Sequence, residues 1–250
     1  MMNATITQLM NRRSIRNFTE ETINEQHLET ILKAAQQAPT SINGQQISLV
    51  VTRNKEKIAA IADIAGGQPQ VASADVFITV VVDFHRPKSA LESIGAEQVI
   101  HQSAEGMIVG AVDAGIMLNA LQTAAESFGY GTTAIGGIRN NPQALIELLE
   151  LPANTFPLVG TTIGVIDNTM PSAVKPRVAL DTFAMNERYD ADKVTQGARE
   201  YDKDLRTWWD KNGLTDMPSY ADSTAQYYSK VYFPTIASTM KKQGFDFKDN

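Results

Sequence analysis

The chain has 250 residues, a formal net charge of −6, 43% hydrophobic residues and no cysteine. The hydrophobic content is enough for a substantial core, and the acidic balance argues against general nucleic-acid binding, which requires a basic surface. The lack of cysteine excludes disulfides, thiolate catalysis and cysteine-ligated metal sites.

Helices and strands alternate in the first half of the chain. The first residues are polar and helix-like, without the apolar core of a signal peptide. Periodicity then predicts, in order, a helix over residues 5–11, a helix opened by a capping box at residues 22–25 and ending near residue 38, a strand over 47–53, a helix over 54–65 and a strand over 76–83. No run approaches the roughly 18 uninterrupted apolar residues of a membrane helix. We therefore expect a soluble, cytoplasmic protein without a membrane partner.

A long helix is predicted over residues 97–128, and its middle is apolar nearly all round. Such a helix is buried on all sides, so we expect a second subunit to cover the face that one domain leaves open. The alternative is a central core helix within a single chain. Asp113 lies inside this apolar stretch and needs a partner that the sequence does not identify. Four small residues would let a partner backbone approach closely: Gly106, Gly110, Ala114 and Gly115.

The rest of the chain divides near residue 190. Strands are predicted over residues 132–138 and 158–166, with a helix over 141–151 between them. Beyond residue 190, aromatic and charged residues mix as they do in peripheral helices. The expected organisation is a core over residues 1–190 and a C-terminal helical extension over residues 191–250 that packs on the core or on a partner subunit.

Two short basic groups interrupt the acidic sequence. The first is Arg12-Arg13-Ser14-Ile15-Arg16, and the second is Lys175-Pro176-Arg177. Arginine presents a planar fork of donors that matches phosphate, and lysine adds a compact charge. If the fold joins the two groups, they form a site for a dianion such as a nucleotide phosphate. The alternative is a solvated helix face plus a surface loop, which is the more ordinary interpretation of the first group taken alone.

Three polar loops extend this pattern: residues 39–46, 66–69 and 136–141. Loops at the ends of strands and helices commonly hold ligands, and the glycines Gly136 and Gly137 would let backbone N–H groups approach a flat ligand. Together with the basic groups, the loops suggest a ligand with a heterocycle, a polyol and a phosphate, which are the three parts of FMN. The three histidines are scattered without metal-ligand spacing, and no metal site is expected.

Six motifs, taken in order, resemble the FMN-dependent nitroreductases, specifically the branch of oxygen-insensitive nitroreductases and NAD(P)H:flavin oxidoreductases. They are RSIRNF at residues 13–18, GGQ at 66–68, AAESFG at 124–129, IGGIRNN at 135–141, LVG at 158–160 and KPR at 175–177. The resemblance covers essentially the whole chain. It implies an α+β fold, a three-layer sandwich with a central, mostly antiparallel sheet flanked by helices. It also implies an intertwined homodimer with FMN in each of two interface sites.

The resemblance also implies a role for each candidate site residue. Arg12, Arg13 and Ser14, with Lys175 and Arg177, would hold the phosphate and ribityl chain of FMN. Arg16 would lie at the pyrimidine edge, Gln68 at the ring edge or ribityl, and the Gly136–Gly137 backbone near N5. The polar loop beside the ring, contributed across the dimer, would use Thr40, Ser41 and Asn43. No side chain need act as a catalytic acid or base, because the flavin carries the chemistry.

The activity implied is ping-pong hydride transfer from NADPH or NADH through FMN to small flat acceptors such as nitroaromatics, quinones or free flavin. The alternatives are a specialised reduction such as dehalogenation, or a flavin-binding sensor or interaction module without turnover. The chain departs from the family branch in three places. Arg12 stands where relatives often have His, the loop at residues 39–45 is more like that of other branches, and residues 211–217 lack the paired arginines that favour NADPH.

Overall fold

A computed structural model describes residues 2–170 and 172–249, which form two compact units. The first unit comprises Met1–Ser172 together with Thr235–Asn250, and the second comprises Ala173–Pro234. These units are defined by packing alone. The division into a core over residues 1–190 and an extension over residues 191–250 therefore stays a prediction about domains.

The first unit is built on a four-stranded sheet in which every neighbouring pair is antiparallel. The strand order is β1-β2-β4-β3. Its strands are β1 Ile47–Thr52, β2 Val76–Asp83, β3 Tyr130–Ile135 and β4 Thr155–Val165. The run of β-branched residues in β2 is buried because this central strand is covered on both faces.

Helices cover both faces of the sheet and account for most of the remaining chain. In chain order they are α1 Ala4–Met10, α2 Glu25–Gln36, α3 Lys55–Ile64, α4 Pro69–Ala72, α5 His85–Glu92, α6 Ala104–Ser127, α7 Pro142–Leu148, α8 Leu180–Phe183, α9 Ala191–Lys211, α10 Tyr220–Tyr228 and α11 Ile236–Lys242. Of these, α8, α9 and α10 lie in the second unit.

Alternate side chains of β2 enter two separate cores, because successive residues of a strand point to opposite faces. Ile78 and Val80 pack in the cluster that contains the inward faces of α2 and α6. Phe77 packs on the opposite face, with residues of α3 and α7 such as Ile58 and Leu145. The predicted three-layer α+β arrangement is therefore confirmed for the first unit.

Several predicted boundaries are wrong. The long helix α6 begins at Ala104, where the Ser103 hydroxyl caps it, rather than at residue 97. The helix α2 is capped by Asn24, whose side chain accepts hydrogen bonds from the N–H groups of Gln26 and His27. The predicted capping box therefore starts two residues too early. The strand β3 ends at Ile135, and residues 137–140 form a tight 3₁₀ turn.

The two faces of α6 have different surroundings. Gly106, Gly110 and Ala114 are buried within the chain, and a Cβ on Gly110 would lie 2.6 Å from Cγ1 of Val82 in β2. These three residues serve the chain's own packing, and the expectation that they admit a partner backbone is wrong. Gly115 alone of the four faces outward, and a Cβ added to it would have no neighbour within 4 Å.

The outward face of α6 is apolar and exposed, with Ile108, Val112 and Ile116 exposed by 57%, 55% and 38%. The helix is therefore a core helix on its inward face only, and a second subunit that covers its outward face stays a prediction. By length and composition α6 would also be able to cross a membrane, a weak criterion that core helices of soluble proteins also meet. Its inward residues Leu121 and Ala125 are fully buried in the first core.

Helices do follow residue 190, but they belong to both units. In the second unit, Leu205 and Trp209 of α9 are buried, and Tyr201 packs edge-on against Tyr220 of α10 with ring centroids 5.2 Å apart. The last helix, α11, belongs to the first unit, where Met240 joins the main core.

Candidate functional site

The first basic group follows α1 and is fixed along the edge of β3. The N–H of Ile15 donates to the carbonyl of Thr132 at 2.9 Å, and the Thr133 hydroxyl donates to the carbonyl of Ile15. Gly131 allows this close approach, since a Cβ there would lie 2.6 Å from Cγ2 of Ile15. The buried Ile15 therefore anchors the short segment that carries the arginines and Ser14.

Arg12 and Arg13 line one cavity of about 150 Å³, and its other lining residues are Gln8, Asn11, Ile15, Glu126, Gly129, Tyr130 and Ile166. Nη1 of Arg13 donates to the carbonyl of Asn11 at 3.4 Å. Nε of Arg13 is buried and has no hydrogen-bond partner among the described residues. A buried donor without a partner is costly, so this atom fits an anionic ligand. Arg16, by contrast, is exposed.

Glu126, at the end of α6, is a cavity residue that sequence reasoning missed. Its carboxylate accepts a hydrogen bond from the Thr132 hydroxyl at 2.8 Å. Burial raises the pKa of the Glu126 carboxyl, while the Thr132 hydrogen bond and the charges of Arg12 and Arg13 act in the opposite direction. When ionised, this carboxylate offsets part of the positive charge in the cavity. An acidic residue that follows two alanines near the end of an otherwise apolar helix was the signal available in the sequence.

The cavity at Arg12 and Arg13 is smaller than a typical small-molecule pocket. Such pockets have volumes of roughly 300–1,000 Å³, whereas this one has about 150 Å³. It has room for a phosphate-sized group but not for a whole flavin mononucleotide.

The polar loop at residues 40–46 is held by α6. The N–H of Ser41 donates to Oδ2 of Asp113 at 3.1 Å, and the side-chain amide of Gln46 donates to the same oxygen. Within the loop, the N–H of Gln45 donates to the Thr40 hydroxyl oxygen at 3.0 Å. The side chains of Ser41 and Asn43 are exposed. The partner of Asp113 that the sequence did not identify is therefore this loop.

The other two predicted loops, at residues 66–69 and 136–141, contact each other. A Cβ on Gly137 would lie 2.3 Å from Nε2 of Gln68, which donates to the carbonyl of Ala65 at 3.0 Å. Glycine at position 137 therefore leaves room for the Gln68 side chain, a reason different from the predicted approach of a ligand. Gly136 has a φ of −77°, which any residue adopts. Gln68, Gly136 and Gly137 thus belong to one junction of the first unit.

Lys175 and Arg177 lie in the second unit. Nζ of Lys175 is 4.6 Å from the ring centroid of Trp209, a distance at which a cation is attracted to the ring. Nη1 of Arg177 donates to the carbonyls of Lys175 at 3.3 Å and Pro176 at 3.2 Å. Both side chains are exposed. That these residues join the first basic group stays a prediction.

Comparison with known proteins adds to this geometry. The model of the nitroreductase family matches residues 9–165, and that of the nitroreductase family C-terminal domain matches residues 175–248. An FMN reductase [NAD(P)H] of Bacillus subtilis is 42% identical over 248 residues, which are 98% of each chain.

The chain belongs to the nitroreductase family. Two solved structures agree with this assignment across the whole fold. The hypothetical oxidoreductase YcnD from Bacillus subtilis has a TM-score of 0.95 at 40% identity, covering 99% of this chain and 100% of its own. An NADPH:FMN oxidoreductase from Vibrio harveyi, solved in complex with NAD⁺, has a TM-score of 0.85 at 28% identity, covering 98% and 100%. The predicted family is therefore confirmed.

Proposed function

We propose that this nitroreductase-family chain is an FMN-dependent NAD(P)H oxidoreductase that reduces small flat acceptors such as nitroaromatics, quinones or free flavin. The observation that carries the proposal is the buried Nε of Arg13, which has no hydrogen-bond partner in the described part of the chain and lies beside Arg12 in a phosphate-sized cavity. The activities named for the relatives support the same class of reaction. The family assignment makes FMN the phosphate-bearing group of choice.

The residues of the chain fit FMN in chemical kind. Arginine forks suit its phosphate, hydroxyl and amide groups suit the ribityl chain and ring edge, and an exposed cation suits the pyrimidine edge. The residues that would hold it are Arg12, Arg13, Ser14, Lys175 and Arg177 for the phosphate and ribityl, Arg16 for the pyrimidine edge, Thr40, Ser41 and Asn43 beside the ring, and Gln68, Gly136 and Gly137 at the ring edge and N5.

When bound, FMN supplies the redox chemistry by accepting hydride from NAD(P)H at N5 and passing the electrons to an acceptor. The protein binds and orients the participants. Arg16 would supply positive charge at the pyrimidine edge of bound FMN, which favours the reduced, negatively charged flavin. No side chain is assigned to proton transfer. Donor and acceptor use the same open site in turn, which gives ping-pong kinetics.

We propose further that the protein acts as a homodimer in the cytoplasm, where NAD(P)H is supplied. A contiguous exposed apolar surface marks an interaction site, and the outward face of α6 is such a surface, with Ile108, Val112 and Ile116 exposed by 38–57%. The small volume of the arginine cavity also favours a flavin site completed by a second chain.

The experiment combines reconstitution with turnover. The purified protein is stripped of flavin, titrated with FMN, and then assayed for NADH and NADPH consumption with one quinone. We expect about one FMN bound per chain and consumption that depends on the quinone. Arg13→Ala should weaken FMN binding by about ten- to a hundred-fold, the effect of a lost hydrogen bond to a charged group. Lys33→Ala on α2, where the lysine pairs only with Glu29 among the described residues, is the matched control.

Failure to bind FMN after reconstitution would overturn the proposal. FMN binding without consumption of either nucleotide, across quinones and nitroaromatics, would instead identify a flavin-binding sensor. Turnover confined to halogenated aromatics would identify a specialised reductase.

A further inference from the structure

Asp113 is a buried carboxylate whose hydrogen-bond donors both come from one loop. The residue is 4% exposed, and among the described residues it forms no ion pair. Its Oδ2 accepts from the N–H of Ser41 at 3.1 Å and from the amide of Gln46. A buried carboxylate is costly unless it is hydrogen-bonded. The bonds that offset this cost tie helix α6 to both ends of the loop at residues 41–46.

The loop that Asp113 holds is strained. Ile42, Asn43 and Gln45 all have left-handed backbones, with φ of 50°, 57° and 51°. A β-branched residue such as isoleucine rarely adopts this conformation. The Ile42 side chain is 97% exposed, so packing within the chain does not hold it there. Strained backbone persists only where its surroundings enforce it, and it clusters at ligand sites.

Hydrogen bonds inside the loop close its turn but do not fix it to the rest of the chain. The N–H of Asn43 donates to the carbonyl of Thr40 at 3.0 Å, and the N–H of Gly44 donates to the carbonyl of Ser41 at 2.8 Å. On the C-terminal side, the carbonyl of Gln46 accepts from the N–H of Asp83 at 2.9 Å, where β1 begins. On the N-terminal side, the loop is joined to another element by the hydrogen bond from the N–H of Ser41 to the Asp113 side chain.

We infer that Asp113 is a positioning residue for flavin binding, which it serves by holding the loop at residues 40–46 in its strained shape. The inference rests on the proposed function, in which Thr40, Ser41 and Asn43 of this loop lie beside the flavin ring. Asp113 itself need not touch FMN. It presets the loop, so that binding does not have to order it, and preorganisation of this kind increases affinity.

The two hydrogen bonds that Asp113 accepts from the loop predict a graded effect across a series of Asp113 variants. Asp113→Asn keeps an oxygen that accepts both hydrogen bonds but loses the charge, which makes the bonds weaker. Asp113→Leu has the same branched shape and the same number of side-chain heavy atoms, is larger, and removes the acceptor. Gln122→Leu is the matched control, because Gln122 is also buried in α6 but donates to the hydroxyl of Thr161 in β4 at 3.1 Å and not to the loop.

The test is amide hydrogen exchange on flavin-free protein, read on peptides that cover residues 39–46. We expect loop exchange roughly ten-fold faster in Asp113→Leu, the effect of losing a hydrogen bond to a charged group. Asp113→Asn should lie between Asp113→Leu and wild type, and Gln122→Leu should match wild type in the loop. FMN titration of the same proteins should rank the dissociation constants in the same order, with Asp113→Leu weakest.

The inference is overturned if Asp113→Asn shows the loop exchange rate and the FMN affinity of wild type. That outcome is decisive even if Asp113→Leu fails to fold. Faster exchange spread evenly over the whole first unit in Asp113→Asn would also overturn it. If wild-type protein itself binds no FMN, the proposed function fails, and the flavin-binding role of Asp113 fails with it. If wild type binds FMN and only the loop prediction fails, the inference alone is wrong.

Discussion

The two faces of α6 are both apolar but have different surroundings. The inward face places small residues, Gly110 and Ala114, against the sheet, and Leu121 is fully buried there. The outward face places the larger Ile108 and Val112 in solvent. Near β2, small residues let α6 pack closely on its own chain, and the large exposed residues mark where we propose that a second copy packs. Burial, rather than apolar character, separates the two faces.

The largest effect is expected from enlarging Gly110 on the inward face of α6, and the same change at Gly115 on the outward face is its comparison. Gly110→Leu should cost at least about 3 kcal/mol of unfolding free energy, the upper end of overpacking penalties, because its Cβ would lie 2.6 Å from Val82. Gly115→Leu should keep the fold, since nothing lies within 4 Å of a Cβ there. Urea denaturation measures both, and equal destabilisation of the two variants would remove the distinction between the faces.

A charge on the outward face should break association without breaking the fold. Val112→Glu would place a carboxylate in the proposed interface, and burying an unpaired charge is strongly unfavourable. We expect the dimer dissociation constant to rise by roughly a hundred-fold or more, with release of flavin. Sedimentation velocity at micromolar protein reads the mass. Ala59→Glu on the exposed side of α3 is the control and should sediment like wild type. A wild-type protein that sediments as a single chain would contradict the dimer directly.

Arg177→Ala should release flavin while leaving both faces of α6 intact. Among the described residues, its Nη1 donates only to the neighbouring carbonyls of Lys175 and Pro176, so the fold should change little. Loss of a hydrogen bond to phosphate should weaken FMN binding by about one to two decades. Fluorescence titration gives the affinity, and sedimentation should show an unchanged dimer. Full FMN occupancy at nanomolar protein would mean that this assignment is wrong.

The preference between NADPH and NADH should be the smallest effect, because it depends on the second unit rather than on α6. Discrimination requires free cations for the 2′-phosphate, yet the Arg206 guanidinium already donates to Asp210 and to the carbonyls of Leu214 and Met217. An exposed lysine such as Lys211 would contribute about five-fold in favour of NADPH. The kcat/KM values for both nucleotides with one quinone measure the preference. A preference for NADPH above roughly a hundred-fold would reveal a phosphate clamp elsewhere.

The parts of the fold that the sequence predicted well are those with a long, regular apolar pattern. The strand β2 was predicted at its observed bounds because its short apolar run is rich in β-branched residues, which favours a buried strand over a helix. The predicted start of α6 was wrong because residues 97–99 are irregular and Ile100–Gln102 form a 3₁₀ turn, after which Ser103 caps the helix. Capping sets the first residue of both α2 and α6. It depends on which of several polar side chains reaches the free N–H groups, and the sequence does not show this.

The candidate site was predicted by residue type but not by contact. Arg12 and Arg13 do share a cavity, whereas the roles of Glu126 and Asp113 depend on hydrogen bonds that join separate elements of the fold. The pairing of a buried carboxylate with a backbone N–H that lies 72 positions away leaves no periodic signal in a single sequence.

The central claim, that the chain binds FMN and takes electrons from NAD(P)H, is tested most directly by anaerobic titration of the reconstituted protein with NADH and NADPH. The visible spectrum is recorded after each addition. We predict a flavin absorbance band that is bleached by about one equivalent of nucleotide per bound FMN and restored by a quinone. A protein without a flavin band after reconstitution, or a band that neither nucleotide bleaches, would contradict the claim.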